Sequence, residues 1–135
     1  TMVLNSLSNA RSHARDSKRL SELKSLENSL ELYHLDNDSY PPQIAAGGCV
    51  WSTPLASLVS GGYISKLPID PDGVAPFCYN YYGGSSVRGW GCEGITRSNY
   101  EYAIFFSLEN SNSNVKITDP HGSHTFTNCI LGPLK

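Results

Sequence analysis

The feature that most constrains this chain is a long helical pattern whose apolar face exists at one end only. From Val3 to Leu35 no Gly or Pro interrupts the run, and Ala, Leu, Arg, Lys and Glu dominate from Ala10 onward. That predicts one helix over residues 3–35. Leu23, Leu26, Leu30 and Tyr33 follow at spacings of three, four and three, so they share a face, and Leu20 extends the stripe backwards. Upstream, "NARSHARDSKR" offers only Ala10 and Ala14 as apolar positions. Such a helix lays its second half on a core and carries the first half away, as a solvated spacer or against neighbouring subunits. The pattern dissolves at "DNDSYPP", where Asp and Asn compete for local hydrogen bonds and Pro41 disfavours helical geometry at Tyr40.

A Gly-rich connector, "QIAAGGC", leads to a short helix in "STPLASLVS", with Ser52 or Thr53 as N-cap and Pro54 in the first turn. Gly61-Gly62 stops it, and "YISKLPIDPDG" is a turn-rich link. After that the pattern is β. "FCYNYY" (77–82) reads as a strand by its aromatic enrichment. "YEYAIFFSL" (100–108) is apolar at nearly every position and is expected to be central. "NVKIT" and "HTFTNCIL" supply further short strands around "DPHGS". The expected fold class is α+β: a long N-terminal helix packed on a three- to four-stranded antiparallel sheet. A single domain, 1–135, would divide into a helical stem (3–35), a loop region with the short helix (36–76), and a sheet and disulfide-bonded region (77–135).

A formal net charge of -2 with no clustered basic field gives no support to a nucleic-acid partner. None of the four cysteines, Cys49, Cys78, Cys92 and Cys129, sits in a Cys-x-x-Cys spacing, which argues against zinc-ribbon and thioredoxin-like sites. Two disulfides in an oxidising compartment are expected instead. Pairing Cys78–Cys92 with Cys49–Cys129 closes a loop of about 15 residues, stabilising by ~3 kcal/mol in the chain-entropy model. Cys49–Cys78 with Cys92–Cys129 stays open. No signal peptide is visible and no run approaches the ~20 apolar residues of a membrane span. Export information is therefore expected upstream of Thr1.

"DNDS" (Asp36 to Ser39) begins like a calcium loop but lacks the mid-loop Gly and distal Glu of an EF-hand, and reads as a helix stop. "DPDG" is a turn that needs no metal, although Asp70 and Asp72 are the best calcium candidates. No other cofactor is expected. Asp119, His121 and His124 in "TDPHGSH" suggest a hydrolytic or metal cluster, but no Gly-x-Ser-x-Gly elbow accompanies them. No catalytic residue is assigned, and the chain is not read as an enzyme. In "YNYYGGSSVRGWG", Tyr82, Arg88 and Trp90 are candidates for surface binding by stacking, against packing over a sheet edge.

Three of these stretches resemble the type IV pilins and the major pseudopilins of type II secretion. "ARDSKRLSELKSLENSLELYHLDNDSYP" is similar to the helix-to-loop segment of both groups through Ala14, Arg15, Asp16, Arg19, Leu30, Glu31, Tyr33, Asp36, Asn37, Tyr40 and Pro41. "GGYISKLPIDPDG" resembles the Tyr-Ile/Leu-x-x-Leu-Pro-x-Asp-Pro segment, with Tyr63, Ile64, Leu67, Pro68, Asp70 and Pro71 in register. "YEYAIFFSLEN" resembles the middle strand of the pilin sheet, which often ends in Leu-Glu. The apolar half-helix, leader peptide, cleavage site and N-terminal glutamate of these proteins have no counterpart in "TMVLNSLSN", and are expected upstream.

The resemblance implies a structural subunit of a type IV pilus or related extracellular filament, polymerising through that apolar half-helix. A type II secretion pseudopilin is the alternative, and a secreted carbohydrate- or surface-binding module stands further off. Implied partners are other copies of the chain in a helical filament, the assembly machinery, and the membrane before assembly. Major pseudopilins bind calcium in a C-terminal loop, to which nothing here is a convincing match. In a filament, Arg11, Arg15, Lys18 and Arg19 would pair with acidic residues of the next subunit, each exposed pair contributing ~0–1 kcal/mol. The competing reading is a solvated face with intrahelical pairs such as Asp16–Arg19 and Lys24–Glu27.

Overall fold

The helical pattern closes into one helix, α1 (Met2–Asn37), of 36 residues, about 54 Å long at 1.5 Å per residue. It belongs to a computed structural model that describes residues 2–42, 53–72, 78–83, 91–92, 95–96, 100–110, 117–118, 125–126 and 128–134. Of these, residues 2–5, 91–92, 95–96, 117–118, 125–126 and 128 are described by backbone alone. Among the described residues no helix is long and apolar enough to cross a membrane.

The end of α1 explains the "DNDSYP" stretch. Asp38 adopts the left-handed conformation (φ 52), and its amide donates to the His34 carbonyl at 2.8 Å, closing the last turn. The Asn37 side-chain amide donates to the Tyr33 carbonyl (2.9 Å) and to the Tyr63 hydroxyl (3.2 Å), which itself donates to Asp36 (3.0 Å). Tyr40 then folds back, buried, stacking on His34 with ring centroids 4.6 Å apart and donating its hydroxyl to the Glu31 carboxylate at 3.0 Å. Polar side chains at the helix end thus fasten the following loop rather than merely stopping the helix.

The second helix, α2 (Ala56–Ser60), starts later than its sequence suggests. Leu55 occupies the N-cap position and no side chain caps the helix, so Thr53 does not take that role, and Ser52 lies outside the described residues. Burial decides the start instead, because Leu55 and Leu58 are both fully buried. The Gly61-Gly62 stop holds, with Gly62 at φ 77.

Among the described residues the strands that follow are β1 (Asn80–Gly83), β2 (Gly91–Cys92), β3 (Ile95–Thr96), β4 (Tyr102–Phe106), β5 (Ile117–Thr118), β6 (Thr125–Phe126) and β7 (Asn128–Leu131). The main sheet has the order β1-β4-β7, antiparallel throughout, while β2-β3 and β5-β6 form separate ribbons. β4 is therefore central, and all five of its residues are buried. Alternation along the strands divides the sheet's contacts. One face presents Tyr79, Tyr81, Tyr102, Ile104 and Phe106 to Leu23, Leu26 and Leu30 of α1. The opposite face gathers Cys78, Tyr82, Ala103 and Phe105, with Cys129 and Leu131 packed against them. The result is the α+β, pilin-like arrangement of a long helix on a three-stranded antiparallel sheet.

Two expectations fail here. Leu20 does not continue the apolar stripe: it is 49% exposed, while its neighbour Arg19 is completely buried. The core face of α1 consists of Leu23, Leu26 and Leu30, with Tyr33 partly buried at its edge. Tyr82 does not offer a binding surface, being buried edge-on against Phe105 at 5.6 Å. Arg88, Trp90, Asp119, His121 and His124 lie outside the described residues.

Candidate functional site

Above Leu23 the helix keeps its grip on the head by charge. Arg19 sits four residues before Leu23, on the core-facing side, where an apolar residue would otherwise meet the end of β4 and the Pro68–Asp72 segment. Each of its five N–H donors has an acceptor. Nε and Nη2 hold the Asp70 carboxylate as a fork at 2.8 and 2.9 Å. Nη2 also reaches Asp72 at 3.0 Å, and Nη1 reaches Asp16 at 2.8 Å and Glu109 at 2.7 Å. Planar geometry and delocalised charge make arginine the residue that can serve several carboxylates at once in a buried place.

A second layer completes the arrangement. Arg15 donates through Nε to Glu109 at 2.7 Å and through Nη2 to the other Glu109 oxygen. Asp16 accepts the backbone amides of Glu109 and Asn110, both at 2.9 Å, and the Asn110 side-chain amide at 3.0 Å. The turn that follows β4 is thus docked on the helix by backbone as well as side-chain bonds. Ser12 donates to Asn110 at 3.3 Å, the farthest point upstream at which α1 meets the head among the hydrogen bonds described. The Asp72 amide closes a turn onto Asp70 at 2.9 Å.

The ionisation of these groups follows from their contacts. Burial works against the Arg19 charge, but hydrogen bonds to Asp70, Glu109 and Asp16 outweigh it and hold the guanidinium above its ordinary pKa. Burial likewise pushes Asp16 up, yet the Glu109 and Asn110 amides, with Arg19, keep it below the usual carboxylate range. Glu109 is held low chiefly by its hydrogen bond from Arg15. Four carboxylates face two guanidiniums, and the excess negative charge is tolerated where Asp72 and Glu109 reach solvent.

This geometry revises two readings. Arg19 is completely buried and spent within the chain, so it is not available to a neighbouring subunit, and Arg15, although partly exposed, is engaged by Glu109. Arg11 is exposed and Lys18 only loosely paired with Glu22 at 3.6 Å. The intrahelical pairs Asp16–Arg19 (2.8 Å) and Lys24–Glu27 (3.4 Å) form. Asp70 and Asp72 both hold the Arg19 guanidinium, and among the described residues no group of three or more His, Cys, Asp or Glu is arranged to hold a metal ion. The signal for the cluster was present: counting back from Leu23 by four lands on Arg19, and acidic positions recur in each stretch that resembles the pilins.

The sequence model of the type II secretion system (T2SS) protein G family matches residues 5–92, a span that carries α1, its closing turn, the Arg19–Asp70 pair and β1. The chain belongs to that family. Its similarity extends to the type II secretion system core protein G of Klebsiella pneumoniae, 30% identical over 109 residues covering 73% of this chain and 76% of that protein. The core protein G of Aeromonas hydrophila is 35% identical over 78 residues, 54% of either chain; the match thus spans about half the length of that relative. No solved structure gives a significant match. Of the two groups to which the sequence is similar, protein G membership favours the type II secretion side over the type IV pilus.

Proposed function

We infer that this chain is the head and stem of a pseudopilin, a non-enzymatic subunit that polymerises into the filament of a type II secretion system. The observation that carries this reading is the projection of α1 beyond the head: from Ser6 to Ala14 every side chain except that of Ser12 is exposed. Among the described residues this stretch meets the head only through the Ser12–Asn110 hydrogen bond, and it is the outward continuation that an apolar, membrane-resident half-helix would need. In that assembly the half-helices of neighbours bury one another, and the exposed cations Arg11 and Lys18 set register with acidic residues of the next subunit. The head sits outside the membrane, in the cell envelope, where its disulfides are stable.

Deleting the gene tests the reading. Proteins exported by the type II route should then accumulate in the periplasm, and complementation with the full-length gene should restore export. Loss of surface pili with secretion intact would transfer the chain to the type IV pilus. The intact mass of the native protein supplies a second test. An additional apolar segment of roughly 25 residues, with a glutamate near its start, is expected; a mature chain beginning near Val3 would refute filament assembly through such a segment.

A further inference from the structure

We propose that Cys92 is joined to Cys129 and Cys49 to Cys78, so that one disulfide ties the β2-β3 ribbon to the edge of the sheet at β7. Cys78 and Cys129 are both disulfide-bonded, and no described cysteine is free. They are not partners of each other, for a geometric reason. Asn80 and Cys129 both lie opposite Phe105, on either side of the central strand. That places β1 and β7 about 9–10 Å apart, and Cys78 is two residues farther along. A disulfide requires Cα atoms within about 7 Å. Each of the two must therefore take one of Cys49 and Cys92.

The ribbon decides between them. Cα atoms of β2, which contains Cys92, come within 8 Å of those of β7, which contains Cys129. Cys129 packs on the sheet face opposite α1, alongside Phe105 and Ala103. With Cys92 assigned to Cys129, disulfide-bonded Cys78 pairs by elimination with Cys49, which lies outside the described residues. Each bridge forms by thiol–disulfide exchange. A chain thiolate attacks the disulfide of an oxidising exchange partner, and the second chain thiolate displaces that partner. Two chain thiols are oxidised, and their two protons and two electrons end on the partner, which leaves as its dithiol.

Non-reducing peptide mapping tests the pairing, because trypsin separates all four cysteines. After alkylation of free thiols and digestion under mildly acidic conditions, cleavage at Lys24, Lys66, Arg88, Arg97 and Lys116 yields peptides 25–66, 67–88, 89–97 and 117–135, with one cysteine each. Peptide 89–97 is expected to be linked to 117–135, and 25–66 to 67–88. Linkage of 67–88 to 89–97, or alkylated Cys92 in the native protein, would overturn the assignment. Cys92→Ser supplies an independent readout: the newly alkylated residue should be Cys129, and labelling of Cys78 instead would refute the proposal.

Discussion

Replacing Arg19 with methionine keeps much of the side chain's volume while removing the charge and all five N–H donors. The wild-type contacts span 2.7–3.0 Å, and charge-assisted bonds of this kind contribute about 1.5–3 kcal/mol each before desolvation is counted. They do not add, because burying the guanidinium offsets much of the gain. The decisive quantity is what remains after truncation: Asp70, buried, has lost its forked partner, and Asp16 and Glu109 each lose one cation. Breaking a buried ion pair from one side costs about 3–5 kcal/mol. Against a total stability of about 5–15 kcal/mol, that lowers the melting temperature by roughly 10–20 °C. The pH dependence identifies the cause. In the wild type, Asp16 and Glu109 are held below their ordinary pKa values. Their contribution is therefore present above about pH 5 and is lost as pH falls through the ordinary carboxylate range of about 4 toward the lower native values. In the variant, the unpaired carboxylates take up protons more readily, so the difference between the two proteins should shrink steadily from pH 7 to pH 4. Thermal and urea unfolding followed by circular dichroism, with disulfides intact, measures both quantities. A loss under about 1 kcal/mol at pH 7, or a loss independent of pH, would show that Arg19 holds its place by packing and that the charge cluster is incidental.

Other substitutions separate the parts of the fold. Leu26→Ala, in the seam between α1 and the sheet, should cost about 2–4 kcal/mol, whereas Leu20→Ala should stay within about 0.5 kcal/mol; equal losses in urea titration would contradict the assigned helix face. Asp38→Gly should stabilise by about 0.5–1 kcal/mol, since it relieves a left-handed non-glycine residue and removes a negative charge from the helix C-terminus. A lower melting temperature for that variant would mean that the Asp38 carboxylate has a partner worth more than the strain. Tyr40→Phe removes the hydroxyl bonded to Glu31 without disturbing the ring stack on His34, and a loss of about 1 kcal/mol is expected in the same titration; no loss would show that Glu31 and solvent compensate freely.

The fold was largely legible because its strongest signals are periodic. The spacing of Leu23, Leu26 and Leu30 located the face of α1, and the apolar density of Tyr102–Phe106 located the central strand, since a strand buried on both faces must be apolar throughout. The ribbons β2-β3 and β5-β6 were harder, with only two residues on each strand: a pairing that short carries no alternation to read. The misplacement of Leu20 has a more instructive cause. Hydrophobic periodicity assumes that the buried face is apolar, and at Arg19 the buried face is charged. Neither the helix nor the "PIDPD" segment reveals this alone, because an arginine and two aspartates look like surface residues until the chain brings them together across 51 positions. The same reasoning explains why Asp70 and Asp72 resembled a cation site. They are one, and the cation is part of the chain.

That substitution of charge for apolar contact answers what the polar half of α1 is doing at the border of the head. The aromatic and aliphatic layer reaches up the helix as far as Leu23, where the sheet supplies Tyr79 and Ile104 to bury it. Beyond that point, among the described residues, the helix is held by the turn after β4 and the loop around Asp70. Apolar side chains there would leave the Glu109 and Asn110 amides without the carboxylate that accepts them. Asp16 accepts two such amides and Arg19 draws in the acidic loop, so the seam continues upward in polar form. The helix then leaves the head fully satisfied and needs no apolar residue until it meets another surface. On this account the boundary between seam and stem is set by where the strands stop, and shortening β4 should move the required charges down the helix by the same distance.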